Sequence, residues 1–539
     1  MLKRKIEETL VQWKNTPDHL PLVIKGVRQC GKTFIVQWFA EQHYESVVYV
    51  NFALEAGKIT AFLGNKDVNT ILLNLSTLMP DAKFIPGKTC IILDEIQDCP
   101  DARTSLKSFK QDGRFDIIAT GSLLGVKGYG DKKKKKNKKL GKNSVPVGFE
   151  TIISMCPLDF EEFLWANGIR QEAIDAVRRC FDQEIPVPEG VHHAFRQLFF
   201  RYIVVGGLPA AINKFLETNH MGEVAEVYKS IIDEYEDDMV KYADDADKPH
   251  IRECFESIPA QLAKENKKFQ YATIKKGARA SQYLGSLQWL EDAGIIRRCY
   301  NTNTPELPLG GNKIDDVFKV YPTDIGILMA MLDTGTRADV LQGNLYGYKG
   351  AIFEGIMADF LHKKGQNLYY YHKDGGLELD FLIRHNGECV PCEVKAKTSK
   401  AKSITTVLNH PEKYHISHVF KFGDYNVGRD GAILTVPSYM GFLLEFEGVE
   451  DIDLPILDIE EVNRLAKEML SEEYNHITLR GRGITQELDV LDDKCVVGSD
   501  SGRTLCSGCI LFQNHCTFSA LPVILPEKMI RQAGMAITG

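Results

Sequence analysis

The stretch LPLVIKGVRQCGKTFIVQWFAEQ, Leu20–Gln42, decides the fold. LPLVIK reads as a short apolar strand, and FIVQWFAEQ as the helix that follows it. Between them Gly26, Val27, Arg28, Gln29, Cys30, Gly31, Lys32 and Thr33 spell G-x-x-x-x-G-K-[ST]. Glycine lets the backbone approach a phosphate. The loop amides can cradle its oxygens, and the helix N-terminus adds favourable partial charge. In this pattern Lys32 would neutralise charge on a terminal phosphate, and Thr33 would hold Mg²⁺. A chance glycine–lysine turn has no need of a strand before it and a helix after it.

Outward from the loop, VVYVNF (47–52), TCIILDE (89–95) and DIIATGS (116–122) read as further buried strands. Amphipathic stretches such as VNTILLNLSTLM lie between them, which argues a parallel α/β sheet. IILDE ends in Asp94 and Glu95. With the loop upstream, Asp94 fits the Mg²⁺ shell and Glu95 the position that polarises an attacking water. Thr120 or Ser122, at the end of DIIATGS, reads either as a sensor of the terminal phosphate or as a strand-end cap. These residues imply ATP and Mg²⁺ as ligands. No arginine finger is evident in the local motifs, which favours a homo-oligomer whose neighbour supplies one.

The chain has 539 residues, enough for two to four domains, with 44% apolar and 26% charged residues. Its net charge of -8 gives no global drive toward nucleic acid or anionic lipid. The start MLKRKIEETLVQWKN is charged and lacks the apolar segment of a secretory signal. No run of about 18 apolar residues suggests a membrane span. Thirteen cysteines, mostly scattered singly, fit reduced thiols in a cytoplasm.

Farther along comes the low-complexity run KGYGDKKKKKNKKLGKN (127–143), then a largely helical region interrupted by GGLP (206–209). Residues 250–300 read as helix, loop, helix and strand, with Leu284, Leu287, Leu290 and Ala293 marking one helical face. LELDFLIRHNGECVPCEVKAK (377–397) reads as a hairpin turning at Asn386-Gly387. Strict alternation puts Leu377, Leu379, Phe381 and Ile383 on one face of its first strand and Glu378 and Asp380 on the other. Asp380 and Glu393 can then converge across neighbouring strands, with Glu354 on the preceding helix as a third acid and Lys395 beside them. Such a set can hold a divalent ion, or it can be the solvated face of a half-buried sheet.

GVRQCGKT, IILDEIQ, ATGSLLGV, VPVGFETIISMCPLDFEEFLWA, GGLPAAI, KKFQYATIKKGARA and EVKAK occur in this order. Together they resemble a large prokaryotic family of AAA-type P-loop ATPases with a C-terminal domain of unknown function. The resemblance spans roughly residues 1–448. It implies an AAA-type P-loop ATPase domain (1–165), a helical segment (166–245), a winged-helix-like domain (246–335) and a PD-(D/E)XK nuclease-like domain (336–448). Residues 449–539 lie outside it as a polar, weakly patterned tail. The resemblance also implies the E…D…E-x-K order of those nucleases for Glu354, Asp380, Glu393 and Lys395. The physiological role it leaves open is nucleic-acid processing or defence, or a nucleotide-driven switch that cleaves nothing.

Two basic stretches bear on DNA or RNA as partners. Lys264, Lys267, Lys268, Lys275, Lys276 and Arg279, interleaved with Phe269 and Tyr271, could track phosphates or form a solvated face. Lys132–Lys136 could grip phosphates near the nucleotide or form a solvated loop. In the tail Cys495, Cys506, Cys509 and Cys516, with His515, lack a second paired knuckle, so free thiols are expected there rather than zinc.

Overall fold

The computed structural model describes residues 1–122, 148–243, 247–264, 267–343, 348–373, 376–395, 402–446 and 458–472, and short strands between 476 and 505. The chain divides into two units, residues 1–447 and 448–539.

In the first unit β1 (Leu22–Lys25), β2 (Ser46–Asn51), β3 (Thr89–Asp94), β4 (Asp116–Gly121) and β5 (Thr151–Ser154) form a sheet in the order β2-β3-β4-β1-β5. Every pairing is parallel. The apolar runs in the sequence have this cause, since helices cover both faces of such a sheet. Leu22 and Ile24 pack with Ile35, Val36 and Phe39 of the helix Lys32–His43. Val23 points the other way, into a cluster with Ile71 and Leu106 from the helices Val68–Leu78 and Pro100–Asp112. Parallel pairing also brings the C-terminal ends of β1, β3 and β4 to one rim, where the motifs were expected to meet.

The middle of the chain is helical from Phe160 to Tyr242. The helix Ala280–Asp292 then leads into the antiparallel pair β6 (Ile296–Thr302) and β7 (Lys313–Pro322). Its buried residues are Tyr283, Ser286, Leu287, Trp289 and Leu290, whereas Leu284 is exposed. Four residues at constant spacing of three drift around a helix by about 60° per step, so 284, 287, 290 and 293 cannot share a face. The face follows 283, 286, 287 and 290, which is the 3-and-4 pattern.

GGLP joins the helices Glu189–Val205 and Pro209–Thr218. A Cβ on Gly206 would lie 2.0 Å from the Tyr228 hydroxyl, and one on Gly207 2.2 Å from the Leu158 carbonyl oxygen. No side chain fits at either position. The Gly207 amide donates to Asp324 Oδ2 at 2.7 Å.

The second sheet adds β8 (Leu368–Lys373), β9 (Leu377–His385), β10 (Glu388–Val394), β11 (Val419–Gly423), β12 (Gly428–Asp430) and β13 (Ile433–Pro437). Its order is β12-β13-β11-β10-β9-β8-β6-β7. Because β6 pairs in parallel with β8, strands from either side of residue 336 share one sheet. Asn386 and Gly387 both have positive φ, as a two-residue hairpin turn between β9 and β10 requires.

The second unit contains the helix Ile459–Glu472 and the antiparallel strands β14 (His476–Gly481), β15 (Ile484–Leu491), β16 (Lys494–Val497) and β17 (Thr504–Leu505). Regular elements therefore occur where the sequence pattern was weak. Lys132–Lys136, Cys506, Cys509, His515 and Cys516 lie outside the described residues, as does the side chain of Cys495. Among the described residues, no helix is long and apolar enough to cross a membrane.

Candidate functional site

The loop Gly26–Thr33 sits between β1 and the helix Lys32–His43, with Gly31 at φ 96° and Gln29 at φ 66°. Gly26 has no room for a side chain, because a Cβ there would lie 2.2 Å from the Met155 carbonyl oxygen. Lys32 is buried and turned onto its own loop, donating to the carbonyl oxygens of Gly26 at 3.0 Å and Val27 at 2.9 Å. Buried Arg4 supports the loop from beneath. It donates to the Cys30 carbonyl oxygen at 3.0 Å and pairs with Glu162 at 3.1 Å.

Asp94 is the hub. Thr33 Oγ1 donates to its Oδ2 at 3.0 Å, Tyr49 Oη at 2.7 Å and Asn51 Nδ2 at 2.9 Å, and Thr120 Oγ1 donates to Oδ1. The alternatives at the end of β4 therefore separate. Thr120 is fully buried and supports Asp94, while Ser122 Oγ lies 3.5 Å from Glu95 Oε2. Glu95 stands at φ 52°, a left-handed conformation uncommon for a non-glycine residue, and accepts from Gln97 Nε2. Strain of this kind persists only where surrounding contacts hold it.

Thr33 and Asp94, joined and facing the loop, fit a Mg²⁺ ion held with a nucleotide. Among the described residues every donor on the Asp94 carboxylate is neutral, so its negative charge is available to a cation. Sequence reading missed Tyr49 and Asn51. Their signal was present, since the 49/51 alternation in VVYVNF places both on one face and parallel register sets Asn51 opposite Asp94. Arg4 carried no local signal.

The second charged centre lies in the other sheet. Glu354, Asp380 and Glu393 do come together there, and all are buried rather than solvated, at 4%, 6% and 2% exposure. Asp380 Oδ2 accepts from the Val394 amide at 2.9 Å. Strict alternation fails at this point. Tyr369 faces Leu382 and Tyr371 faces Leu379, so β9 has one extra residue against β8. This bulge sends Leu379 and Leu382 into one cluster and Phe381 and Ile383 into another. Cys389 and Cys392 also fall in opposite clusters.

Lysines occupy this centre. Lys267 Nζ is 2.7 Å from Glu354, and Lys319, wholly buried, is 3.4 Å from Glu354 and 2.8 Å from Glu378. Lys395 is 2.5 Å from Glu393 and 3.8 Å from Asp380. Burial, then Glu393 and Glu354, push the Asp380 carboxyl well above its ordinary range. Burial would raise Glu354 too, but Lys319 and Lys267 more than offset it and hold it low. Among the described residues, one oxygen of Glu393 is buried without a hydrogen-bond partner. That single free oxygen suits a metal, but the lysines on its neighbours do not. Among the described residues, no three His, Cys, Asp or Glu side chains are grouped to hold a metal ion. Lysines therefore already meet the carboxylates that the sequence reading assigned to a divalent ion.

The basic stretch is also partly consumed. Lys264 donates to Gln270 Oε1 at 2.8 Å, Lys267 is bound to Glu354, and Phe269 is buried against Phe318. Lys275, Lys276 and Arg279 remain exposed.

Three family models match the chain. An AAA domain covers residues 18–164, and two domains of unknown function, DUF8612 and DUF4143, cover 196–338 and 349–439. No curated protein matches. Among solved structures, a Walker-type ATPase of Pyrococcus abyssi aligns at 14% identity and TM-score 0.37, over 61% of this chain and 96% of that one. A protein from Vibrio cholerae aligns at 9% identity and TM-score 0.14, over 78% and 95%. The domain match and the five-stranded parallel sheet agree that the N-terminal part is an AAA-type, ATPase-like P-loop domain.

Proposed function

We propose that this chain hydrolyses ATP with Mg²⁺ and uses its nucleotide state to reposition a C-terminal domain of PD-(D/E)XK nuclease-like fold. The observation that supports it best is the convergence of Thr33, Asp94 and Glu95 beside the loop Gly26–Thr33. In this reading Thr33 and Asp94 hold the Mg²⁺ of the nucleotide, which would offset charge on the phosphates. Glu95 orients a water in line with the γ-phosphorus and accepts its proton, with Ser122 beside it. Lys32 leaves the carbonyls of Gly26 and Val27 for the phosphate oxygens. The segments 166–245 and 246–335, the latter winged-helix-like, would transmit the change to 336–448 in a cytoplasmic protein that assembles with copies of itself.

Two readings divide over the C-terminal domain. In one it cuts DNA or RNA, with Asp380, Glu393, Glu354 and Lys395 as its centre. In the other it binds a nucleic-acid or protein partner and cuts nothing. The lysines on its carboxylates favour the second, because they already neutralise the charge a metal would need. The test incubates the full chain, with Mg²⁺ or Mn²⁺ and with or without ATP, with single- and double-stranded DNA and RNA. No cleavage alongside intact ATP hydrolysis is expected. Cleavage abolished by Asp380→Ala and by Lys395→Ala would establish the nuclease instead. Hydrolysis that persists unchanged in Lys32→Ala would overturn the ATPase reading.

A further inference from the structure

Arg28, third residue of the phosphate loop, is met by the helix Met221–Tyr242, which lies outside the AAA-type domain. Its Nη1 donates to Asp238 Oδ1. Gln29 Nε2 donates to Glu234 Oε2 at 2.9 Å, and the Tyr235 hydroxyl donates to the Arg28 carbonyl oxygen at 3.2 Å. Residues 234, 235 and 238 lie within about one helical turn. One turn of helix therefore grips two consecutive loop residues, and Gln29 is one of those with positive φ.

The environment of Arg28 is acidic on two sides. Burial works against its charge, but Asp238, then Glu95 and Glu234, more than offset that. The guanidinium thus pairs with the helix through Asp238 and also feels the charge of Glu95, the glutamate assigned to the attacking water. Asp238 is the buried partner, at 6% side-chain exposure, while Arg28 is 38% exposed. The arginine is the member free to change partners. A terminal phosphate carries more charge than one carboxylate and presents oxygens that suit a guanidinium fork.

We infer that Arg28 contacts the γ-phosphate as an arginine supplied in cis, and that Asp238 and Glu234 compete with that phosphate for the loop. This rests on the ATP-hydrolysis reading above. When ATP draws Arg28 away, Asp238 is left buried without its cation, which favours release of the helix. ADP lacks the competing group and leaves the grip closed. Release would travel onward, because Glu236 of the same helix pairs with Arg252 at 2.6 Å on the helix Lys248–Glu256.

The experiment uses the full chain, with fluorescent ADP, a non-hydrolysable ATP analogue, steady-state ATP hydrolysis and hydrogen exchange. Arg28→Ala should lower kcat roughly 100-fold or more, the loss typical of a removed transition-state donor. It should also weaken the ATP analogue several-fold more than ADP, with part of kcat restored in Arg28→Lys. Asp238→Asn should tighten the ATP analogue by about 5-fold, as removal of one repelling charge at close range allows, and leave ADP unchanged. Residues 232–242 should exchange faster with the ATP analogue than with ADP. Equal weakening of both nucleotides in Arg28→Ala with kcat unchanged would make the contact a structural latch and overturn the inference. So would exchange in 232–242 that does not distinguish the nucleotides. Failure of the underlying reading looks different: Lys32→Ala hydrolysing normally, or the unaltered chain binding neither nucleotide.

Discussion

The two charged centres use the same ingredients, buried carboxylates and lysines, in opposite ways. Around Asp94 every donor among the described residues is a neutral hydroxyl or amide, and Lys32 is parked on backbone carbonyl oxygens. In the C-terminal centre Lys267, Lys319 and Lys395 lie on Glu354, Glu378, Asp380 and Glu393. The first centre keeps its negative charge available and its lysine free to turn toward a phosphate. The second is nearly neutralised from within. Burial alone does not make an acidic cluster a metal site; it matters which groups satisfy the acids.

The sharpest break of this comparison is at the nucleotide centre. Lys32→Ala should remove ATP hydrolysis to the limit of detection in a phosphate-release assay. Glu95→Gln should lower kcat roughly 100-fold to 10,000-fold while ATP still binds, because it removes the proton acceptor and keeps the shape. Loss of binding in Glu95→Gln would mean that its carboxylate is needed to hold the nucleotide and not only to accept the proton.

The next largest effect lies at Lys319, whose side chain is fully buried. Lys319→Met leaves Glu354 and Glu378 without their shared cation. It should destabilise the chain by roughly 3–5 kcal/mol, the cost of breaking a buried pair from one side. Urea unfolding measures it. Adding Glu354→Gln should recover part of the loss. A neutral outcome for Lys319→Met would show that a solvent cation can replace the lysine, and the contrast between the two centres would fail.

How far the sequence carried these centres depends on the range of the contacts. The loop and Asp94–Glu95 were legible because a strand, a glycine-rich turn and a helix are local, and parallel order then aligns the strand ends. Asp380, Glu393 and Glu354 were legible as a set, since hairpin register relates the first two. Their partners were not. Lys267 and Lys319 arrive from segments 87 and 35 residues away from Glu354. A lysine in a stretch such as QLAKENKKFQ looks like any surface lysine until the fold brings a carboxylate to it. The bulge at Asp380 was equally hidden, because it is defined by the pairing of β8 with β9 rather than by either strand. Arg28 was read as one position of a motif, and its tie to Asp238 spans 210 residues.

A smaller effect refines the neutral-donor side of the comparison. Tyr49→Phe removes one hydroxyl from Asp94 and leaves the ring in place. It should cost roughly 1.5 kcal/mol, as for a hydrogen bond to a charged group. The loss should shrink when Mg²⁺ and nucleotide are added, since a cation then takes up the carboxylate's charge. Thermal unfolding with and without ligand reads both values. A loss unchanged by ligand would place the Tyr49 hydroxyl outside the ion's reach.

The smallest effect is a pH dependence at a third buried cluster, between those extremes. Lys363 serves two acids there, Asp359 at 2.9 Å and Asp324 at 3.3 Å, with the Tyr202 hydroxyl on Asp359 at 3.2 Å. One lysine cannot neutralise both carboxylates. Burial pushes Asp359 up from 3.8 to about 7, with Lys363 opposing and Asp324 adding to the rise. A carboxyl raised on folding holds its proton in the native state at pH values where the unfolded chain has lost it. Its stabilising contribution is therefore complete below about pH 3.8 and is lost as pH rises through about 7. Asp359→Asn mimics the protonated form and does not titrate. The stability of the unaltered chain relative to that variant should thus fall between about pH 4 and 7 and level off above, measured by urea unfolding across the range. A difference that grows with pH would mean that the Lys363 pairing outweighs burial and holds Asp359 low, as Lys319 and Lys267 hold Glu354.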